Sequence, residues 1–454
     1  MSKIYKISII SALAGFLFGF DTVVISGADQ QLQKLWNTSN IFHGSIVMSM
    51  ALWGTVIGAL IASYPCDKWG RKKTLVIIGI LYLVSALGSA FANDPFIFSL
   101  FRFIGGVGVG LSTIAAPTYI SEIAPTSKRG RLVILYQFNL VLGILIAYTS
   151  NYIFQNFGEG SWRWMMGIET FPALIYLIGL KTVPESPRWL VVSKNNISLA
   201  KKIFKEINGK TIADSELNNF SNIQTNKELL FSYKYLKPLI LAFFIAFFNQ
   251  LSGINAFLYY APRIFEIAGL ESDSAFLSSI GIGLTNLIFT ILGMYLIDRT
   301  GRRTLLKIGS IGYIISLSMI AISFIYNWEG IFVPLFLFMF IASHAIGQGS
   351  IIWVFIAEIF PNHLRAKGLS FGISVHWILA SLITLLMPSF LATLSNPGYI
   401  FLFFAVFMIF QYIFTLTIMP ETKNISLEEM SNKLTKKKIP FIKTLFVVRA
   451  GNVS

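Results

Sequence analysis

The sequence predicts an all-α membrane protein: twelve transmembrane helices in two six-helix halves, with short cytoplasmic linker helices between them. Three observations support that fold class. Of 454 residues, 55% are hydrophobic and only 13% charged, with 41 phenylalanines, so the chain lacks the polar coat a soluble protein of this length needs. Apolar runs of about 20 residues, the length that spans a bilayer as helix, recur from end to end. The chain is also duplicated. Asp67-Lys68-Trp69-Gly70-Arg71 returns as Asp298-Arg299-Thr300-Gly301-Arg302, an offset of 231 residues. Glu122-Ile123-Ala124-Pro125 returns as Glu358-Ile359-Phe360-Pro361, and Pro184-Glu185-Ser186 as Pro420-Glu421-Thr422, each offset by 236. Charged hinges repeated at matching places between apolar spans mark a parallel-repeat architecture.

The first run, 7–28, follows Lys3 and Lys6 as a signal peptide would. It is long, lacks a convincing cleavage site and carries Asp21, so it reads as a span. The second, 44–65, ends beside the lone cysteine, Cys66, which leaves no role for disulfides. The third is 74–92, and the fourth, 96–119, holds Arg102 with Gly105, Gly106, Gly108 and Gly110. No strand precedes those glycines, so close helix packing accounts for them better than a nucleotide loop. Runs 132–154, with Gln137, and 164–182, with Glu169, complete the first half, 1–182. In the polar stretch 183–237, Leu199, Ile203, Phe204 and Ile207 fall at helical spacing between lysines. That pattern predicts an amphipathic helix braced on the cytoplasmic face. The second half, 238–419, opens with 238–261, which carries Asn249, Gln250, Asn255 and Tyr259. Then come 276–297 with Gly281, Gly283 and Asn286, 304–325, and 331–356 with His344 and Trp353. Runs 369–393, with His376 and Trp377, and 398–419 complete the half, and a basic cytoplasmic tail, 420–454, follows.

The net charge of +15 would suggest nucleic acid in a soluble protein, but its distribution points elsewhere. Of 36 Lys and Arg, Arg102 lies inside a span, and Lys34, Arg163 and Arg263 fall in loops on one side. The rest lie in the opposite loops, the linker and the termini. This asymmetry predicts that both termini are cytoplasmic, with the basic residues as topology signals and contacts to anionic lipid. With no organellar presequence, the simplest expected location is a bacterial inner membrane. The expected partners are therefore the bilayer and small solutes, with no nucleic acid, and the expected state is a monomer.

The residues together resemble the sugar porter family of the major facilitator superfamily. The resemblance runs from Gly15-Phe16-Leu17-Phe18-Gly19-Phe20-Asp21 to Pro420-Glu421-Thr422-Lys423. Its most specific piece is Pro184-Glu185-Ser186-Pro187-Arg188-Trp189-Leu190. Arg129-Gly130-Arg131, Gly253-Ile254-Asn255 and Tyr259-Tyr260-Ala261-Pro262 also fit. The resemblance implies a proton-coupled monosaccharide importer working by alternating access. A facilitative uniporter and a non-transporting sugar sensor are the alternatives. A sensor would be expected to carry a long signalling tail, and only about 34 residues follow the last run. No metal-ligand cluster, nucleophile–base constellation or cofactor loop supports an enzyme, and no cofactor is expected.

The resemblance places Asp21 and Arg102 opposite each other as the proton site, with Glu169 able to join them; the bland alternative is a permanent packing salt bridge. It carries sugar binding onto Gln137, Asn249, Gln250, Asn255, Tyr259, Asn286, Trp353 and Trp377, with His376 where an amide is common. Amides supply both hydrogen-bond senses and indoles a flat face for the sugar. Amides can equally act as interhelical glue, and Trp377 as an interfacial belt residue. Ser350 stands after Gly349 where the family usually has proline, which puts the flexibility of the tenth span in question. A buried His344 or His376 either titrates or stays a neutral hydrogen-bonded residue. Asp67, Arg71, Glu122, Arg129, Asp298, Arg302, Glu358 and Arg365 are expected to form a cytoplasmic gate that favours the outward-open form, topogenic charge alone being the alternative.

Overall fold

The computed structural model describes residues 3–125, 128–209, 228–328, 330–361 and 363–435, and the regular structure among them is entirely helical. Eleven helical stretches there are long and apolar enough to cross a membrane. Spans 1 to 5 are Lys3–Leu35, Asn40–Ile61, Arg71–Ala90, Pro95–Ile123 and Arg129–Phe154. Spans 7 to 12 are Tyr233–Tyr259, Ser272–Thr300, Arg302–Ile325, Phe332–Ile359, Arg365–Thr393 and Gly398–Thr417. Span 6 is the twelfth, divided into Ser161–Gly167 and Thr170–Leu180, each too short to cross alone. The chain is an integral, multi-pass membrane protein, and large apolar side chains such as Leu100, Phe171, Ile288 and Phe403 stand outward as a lipid solvent requires.

Several helices overrun the apolar runs that mark them. Span 1 has 33 residues, about 50 Å at 1.5 Å per residue, so it passes through the hydrocarbon and the headgroups on both sides. Packing repeats between the halves. Span 1 packs on 5, 2 on 4, and 3 on both 4 and 6; span 7 packs on 11, 8 on 10, and 9 on both 10 and 12. The halves meet where span 5 faces span 8 and span 2 faces span 11. The crossing of spans 1 and 5 depends on mutual glycines. A Cβ at Gly19 would stand 1.9 Å from the Leu140 carbonyl oxygen, and one at Gly143 would stand 2.1 Å from that of Phe16. Helix axes this close leave no room for any larger residue, and the contact fixes the depth of Asp21, two residues beyond Gly19.

Three spans break, and each break falls at a polar residue or among residues later found in the site. Span 6 turns at Ile168 and Glu169. Span 7 stops at Gln250 and restarts at Ile254 through Gly253, whose φ of +85° only glycine adopts readily. It stops again at Tyr260, and Pro262, lacking an N–H, sits in the first turn of the continuing helix Ala261–Ile267. Span 10 divides at Gly347 into Phe332–Ile346 and Gln348–Ile359. The break thus survives without a proline at position 350, where the Ser350 hydroxyl donates to the Ala345 carbonyl at 2.6 Å.

The linker helix forms over Ile197–Asn208, but its buried stripe is Ala200, Phe204 and Ile207, with Ile203 half-buried. Leu199 faces outward, contrary to expectation, because Ala200 holds the i, i+4, i+7 positions with Phe204 and Ile207. The remainder of the linker, 210–227, and the tail beyond 435 lie outside the described residues.

Candidate functional site

The buried charges of the first half converge where the two halves meet. Arg102, fully buried in span 4, donates from Nη1 to the Asp21 carboxylate and from Nη2 to the Asp21 carbonyl oxygen at 2.9 Å. Glu169, 1% exposed at the break of span 6, has these two residues as its charged neighbours. Neither of its carboxyl oxygens has a hydrogen-bond partner among the described residues. Tyr259 of span 7 is also fully buried, with Arg102 and Asp21 as its charged neighbours. Sequence reasoning grouped Tyr259 with the sugar residues; the structure sets it against the charged cluster, so it stands between the two sites.

The second half supplies an amide cluster. Gln250 Nε2 donates to Asn249 Oδ1 at 2.9 Å and lies 3.1 Å from both ring nitrogens of His376. Gln250 Oε1 accepts from Asn255 Nδ2 at 3.0 Å, across the break at Gly253. One side chain therefore joins both helical pieces of span 7 to span 11. The His376 ring lies between Trp353 and Trp377, with centroids 5.2 and 4.6 Å away. Trp377 also meets Phe18 of span 1 at 5.6 Å, across the halves, and its buried Nε1 has no partner among the described residues. An indole at this depth is no interfacial belt. Among the described residues, Gln137 and Asn286 make no hydrogen bond to this cluster, and Asn286 accepts from Thr290 on its own helix, at 3.2 Å. His344 is an ionisable neighbour of His376, and its Nδ1 lies 2.5 Å from the Tyr313 hydroxyl.

The duplicated cassettes build two matching networks at the basic face. Arg71 grips Glu122 with Nε at 2.9 Å and Nη2 at 3.0 Å, and Arg302 grips Glu358 at 3.1 and 2.8 Å. The Ser186 hydroxyl donates to Glu122 and the Thr422 hydroxyl to Glu358, each at 2.6 Å. Glu185 accepts the N–H groups of Arg71 and Lys72 at 2.9 and 3.1 Å, and Glu421 those of Arg302 and Arg303 at 3.0 Å each. These carboxylates thus cap spans 3 and 9 and meet the positive ends of the helix dipoles. The preceding glycines are required twice over: Gly70 and Gly301 have φ of +96° and +92°, and a Cβ there would meet the capping carboxylate at 2.4 and 2.6 Å.

Glu122 and Glu358 take Arg71 and Arg302 of neighbouring helix ends as bidentate partners, while Arg129 Nε donates to the Ser121 carbonyl at 3.0 Å. A guanidinium at the start of span 3 or 9 reaches the neighbouring helix end with both nitrogens, the geometry a carboxylate favours. Asp67 and Asp298, expected to belong to the same gate, have side chains 71% and 80% exposed, in single i,i+4 contacts that contribute little. The Arg71–Glu122 and Arg302–Glu358 pairs each lie within one half.

Hydrogen bonds between the halves lie at the opposite face. Gln30 donates to Glu266 at 2.5 Å, Arg263 donates to Gln33 at 3.0 Å, and the Tyr148 hydroxyl donates to the Leu258 carbonyl at 2.7 Å. Sequence reasoning missed this tie by reading Arg263 as a loop charge. The signal was present in Asp29, a second carboxylate in span 1, and in His43 at the start of span 2.

The chain is similar to known proteins over nearly its whole length. The family profile described as Sugar (and other) transporter matches residues 7–434. The arabinose-proton symporter of Bacillus subtilis is 36% identical, with 95% of each chain covered. The D-xylose-proton symporter of Escherichia coli is 32% identical, covering 94% of this chain and 95% of the relative. The inward-open structure of the xylose transporter XylE from E. coli superposes with a TM-score of 0.84 at 30% identity, covering 95% of this chain and all of that one. The chain belongs to the Sugar (and other) transporter family and is a sugar porter of the major facilitator superfamily, a transporter and not an enzyme.

Proposed function

We propose that the protein imports a monosaccharide together with protons across a bacterial cytoplasmic membrane by alternating access. The halves 1–182 and 238–419 rock about a central site, with the basic face and both termini cytoplasmic and the chain working as a monomer. Contacts between halves at the opposite face and a likeness to an inward-open relative support an inward-facing state here.

The observation that carries the reading is Tyr259, which sits on the sugar-site helix while its charged neighbours are Asp21 and Arg102. Charge accounting gives the mechanism. One guanidinium faces two carboxyl groups, so a single proton shared between Asp21 and Glu169 makes the buried cluster neutral. A proton on Asp21 weakens the ionic arm of Arg102 but leaves its bond to the Asp21 carbonyl. The guanidinium then shifts against Tyr259 instead of leaving the site, and span 7 is released to close on sugar. Gln250, Asn249, Asn255 and His376 exchange mutual hydrogen bonds for sugar hydroxyls, and Trp353 and Trp377 cover the C–H face. Asp21, Arg102 and Glu169 serve the proton; Arg71, Glu122, Arg302 and Glu358 hold the basic ends of each half rigid while it moves.

Relatives of similar sequence are named for arabinose and xylose, so those pentoses head the test panel. The test is uptake of labelled arabinose, xylose and glucose into proteoliposomes with and without an imposed proton gradient. Accumulation of one sugar above equilibrium only when the gradient is present supports the reading. Equilibration alone, indifferent to the gradient, contradicts it.

A further inference from the structure

A second set of buried ionisable groups joins the halves at the face opposite the cassettes, outside the mechanism above. Asp29, on span 1, is 0% exposed. Its Oδ1 lies 2.8 Å from Nε2 of His43, and its Oδ2 lies 3.5 Å from Nη1 of Arg263. His43 belongs to the same half as Asp29. It is also fully buried, at the start of a π-helical turn, His43–Met48, and its Nδ1 lies 3.4 Å from the Thr38 hydroxyl. Arg263 belongs to the other half. One carboxylate is therefore shared between a partner that stays with it and a partner that departs when the halves separate.

The surroundings leave few other sources of charge. The Tyr260 phenol of span 7 also faces Asp29 and Arg263, and it donates to the Thr384 carbonyl at 2.9 Å. Glu266, near Arg263 in sequence, is held by Gln30. Span 11 packs against this turn through Leu385 and Pro388, beside Gly44, and brings no charge.

A carboxylate without exposure needs a positive partner in every state it occupies. With the halves together, the Arg263 guanidinium balances Asp29. When the halves part, Arg263 moves into water and Asp29 remains with His43 alone. The balance then requires one proton from solvent on the ring, giving carboxylate and imidazolium in place of carboxylate and guanidinium. We propose that His43 is a positioning residue, a stand-in counterion for Asp29. Opening of this face then takes up a proton at His43, independently of the Asp21 cluster. The inference rests on alternating access but not on the role given to Asp21.

The test measures distance rather than transport. Spin labels at Asn37→Cys and Ser274→Cys, exposed positions on the two halves at this face, are introduced with Cys66→Ser into the full chain in lipid nanodiscs. The separated population should grow as pH falls from about 8 to about 6, by up to about tenfold per unit for one linked proton. Asp21→Asn should keep that response, and His43→Gln should lose it. Arg263→Gln should be separated at both pH values, since it removes the competing partner. An unchanged pH response in His43→Gln, or no response in the unsubstituted protein, overturns the proposal. Loss of the response in Asp21→Asn assigns the proton to the central cluster, overturning the role of His43 while leaving the transport reading intact. If His43→Gln does not fold, Arg263→Gln decides: a native-like closed population at both pH values sinks the idea.

Discussion

Arg102 holds Asp21 at two chemically different points, the carboxylate and the backbone carbonyl, the latter at 2.9 Å. Only the first depends on charge. Asp21→Asn should therefore fold, because the second bond remains and Glu169 still neighbours the guanidinium. Adding Glu169→Gln removes the last nearby carboxylate and leaves a buried cation unpaired, a loss of about 3–5 kcal/mol. Thermal unfolding in detergent should show a small shift for the single variant and a much larger one for the pair. Additive small shifts would mean that Glu169 does not share the arginine.

Gln250 joins Asn249, Asn255 and His376. Replacing it with leucine strands three polar partners, at about 1–3 kcal/mol, or roughly 5- to 150-fold in kcat/KM for sugar uptake. Asn286→Ala should cost less, since Asn286 bonds to Thr290 within its own helix. Equal effects would remove Gln250 from the centre of the site.

The two cassettes look alike but are not equally buried. The Glu122 side chain is 4% exposed and that of Glu358 is 23%. Removing one partner of a pair costs more where water cannot replace it, so Glu122→Gln should destabilise by about 3–5 kcal/mol and Glu358→Gln by clearly less. Denaturation of each variant in detergent measures the difference.

Cys66 lies in the helix Ser63–Trp69, beyond the end of span 2, where Arg71 Nη1 donates to its carbonyl oxygen at 2.8 Å. Burial pushes its thiol up to about 11 despite the nearby guanidinium. The reactive thiolate is thus scarce below that pH, and maleimide labelling at about pH 7.5 should be slow in the native protein. Arg71→Ala should loosen the turn and speed labelling.

The fold was legible because membranes constrain the chain so strongly. Apolar length gave the spans and charge gave the hinges, although spans 6, 7 and 10 each break within their length. Asp21 and Arg102 were legible because a charge at membrane depth needs a partner and because the family resemblance sets the two positions opposite each other. Three features were not. The breaks at Gly253 and Gly347 depend on local backbone conformation and not on hydrophobic pattern. Which of the nearby arginines pairs with Glu122, here Arg71, depends on which helix end lies within reach. The tie among Asp29, His43 and Arg263 joins residues more than 200 positions apart, two of them at span ends where charge is ordinary.

The central claim, that sugar and protons move together through Asp21, is tested most directly by sugar-driven proton flux. Proteoliposomes loaded with a pH-sensitive dye are given the transported sugar from outside, without an imposed gradient. The native protein should acidify the lumen as sugar enters, and Asp21→Asn should exchange labelled sugar with no change in lumenal pH. Sugar influx without acidification in the native protein, or acidification that persists in Asp21→Asn, would contradict the account.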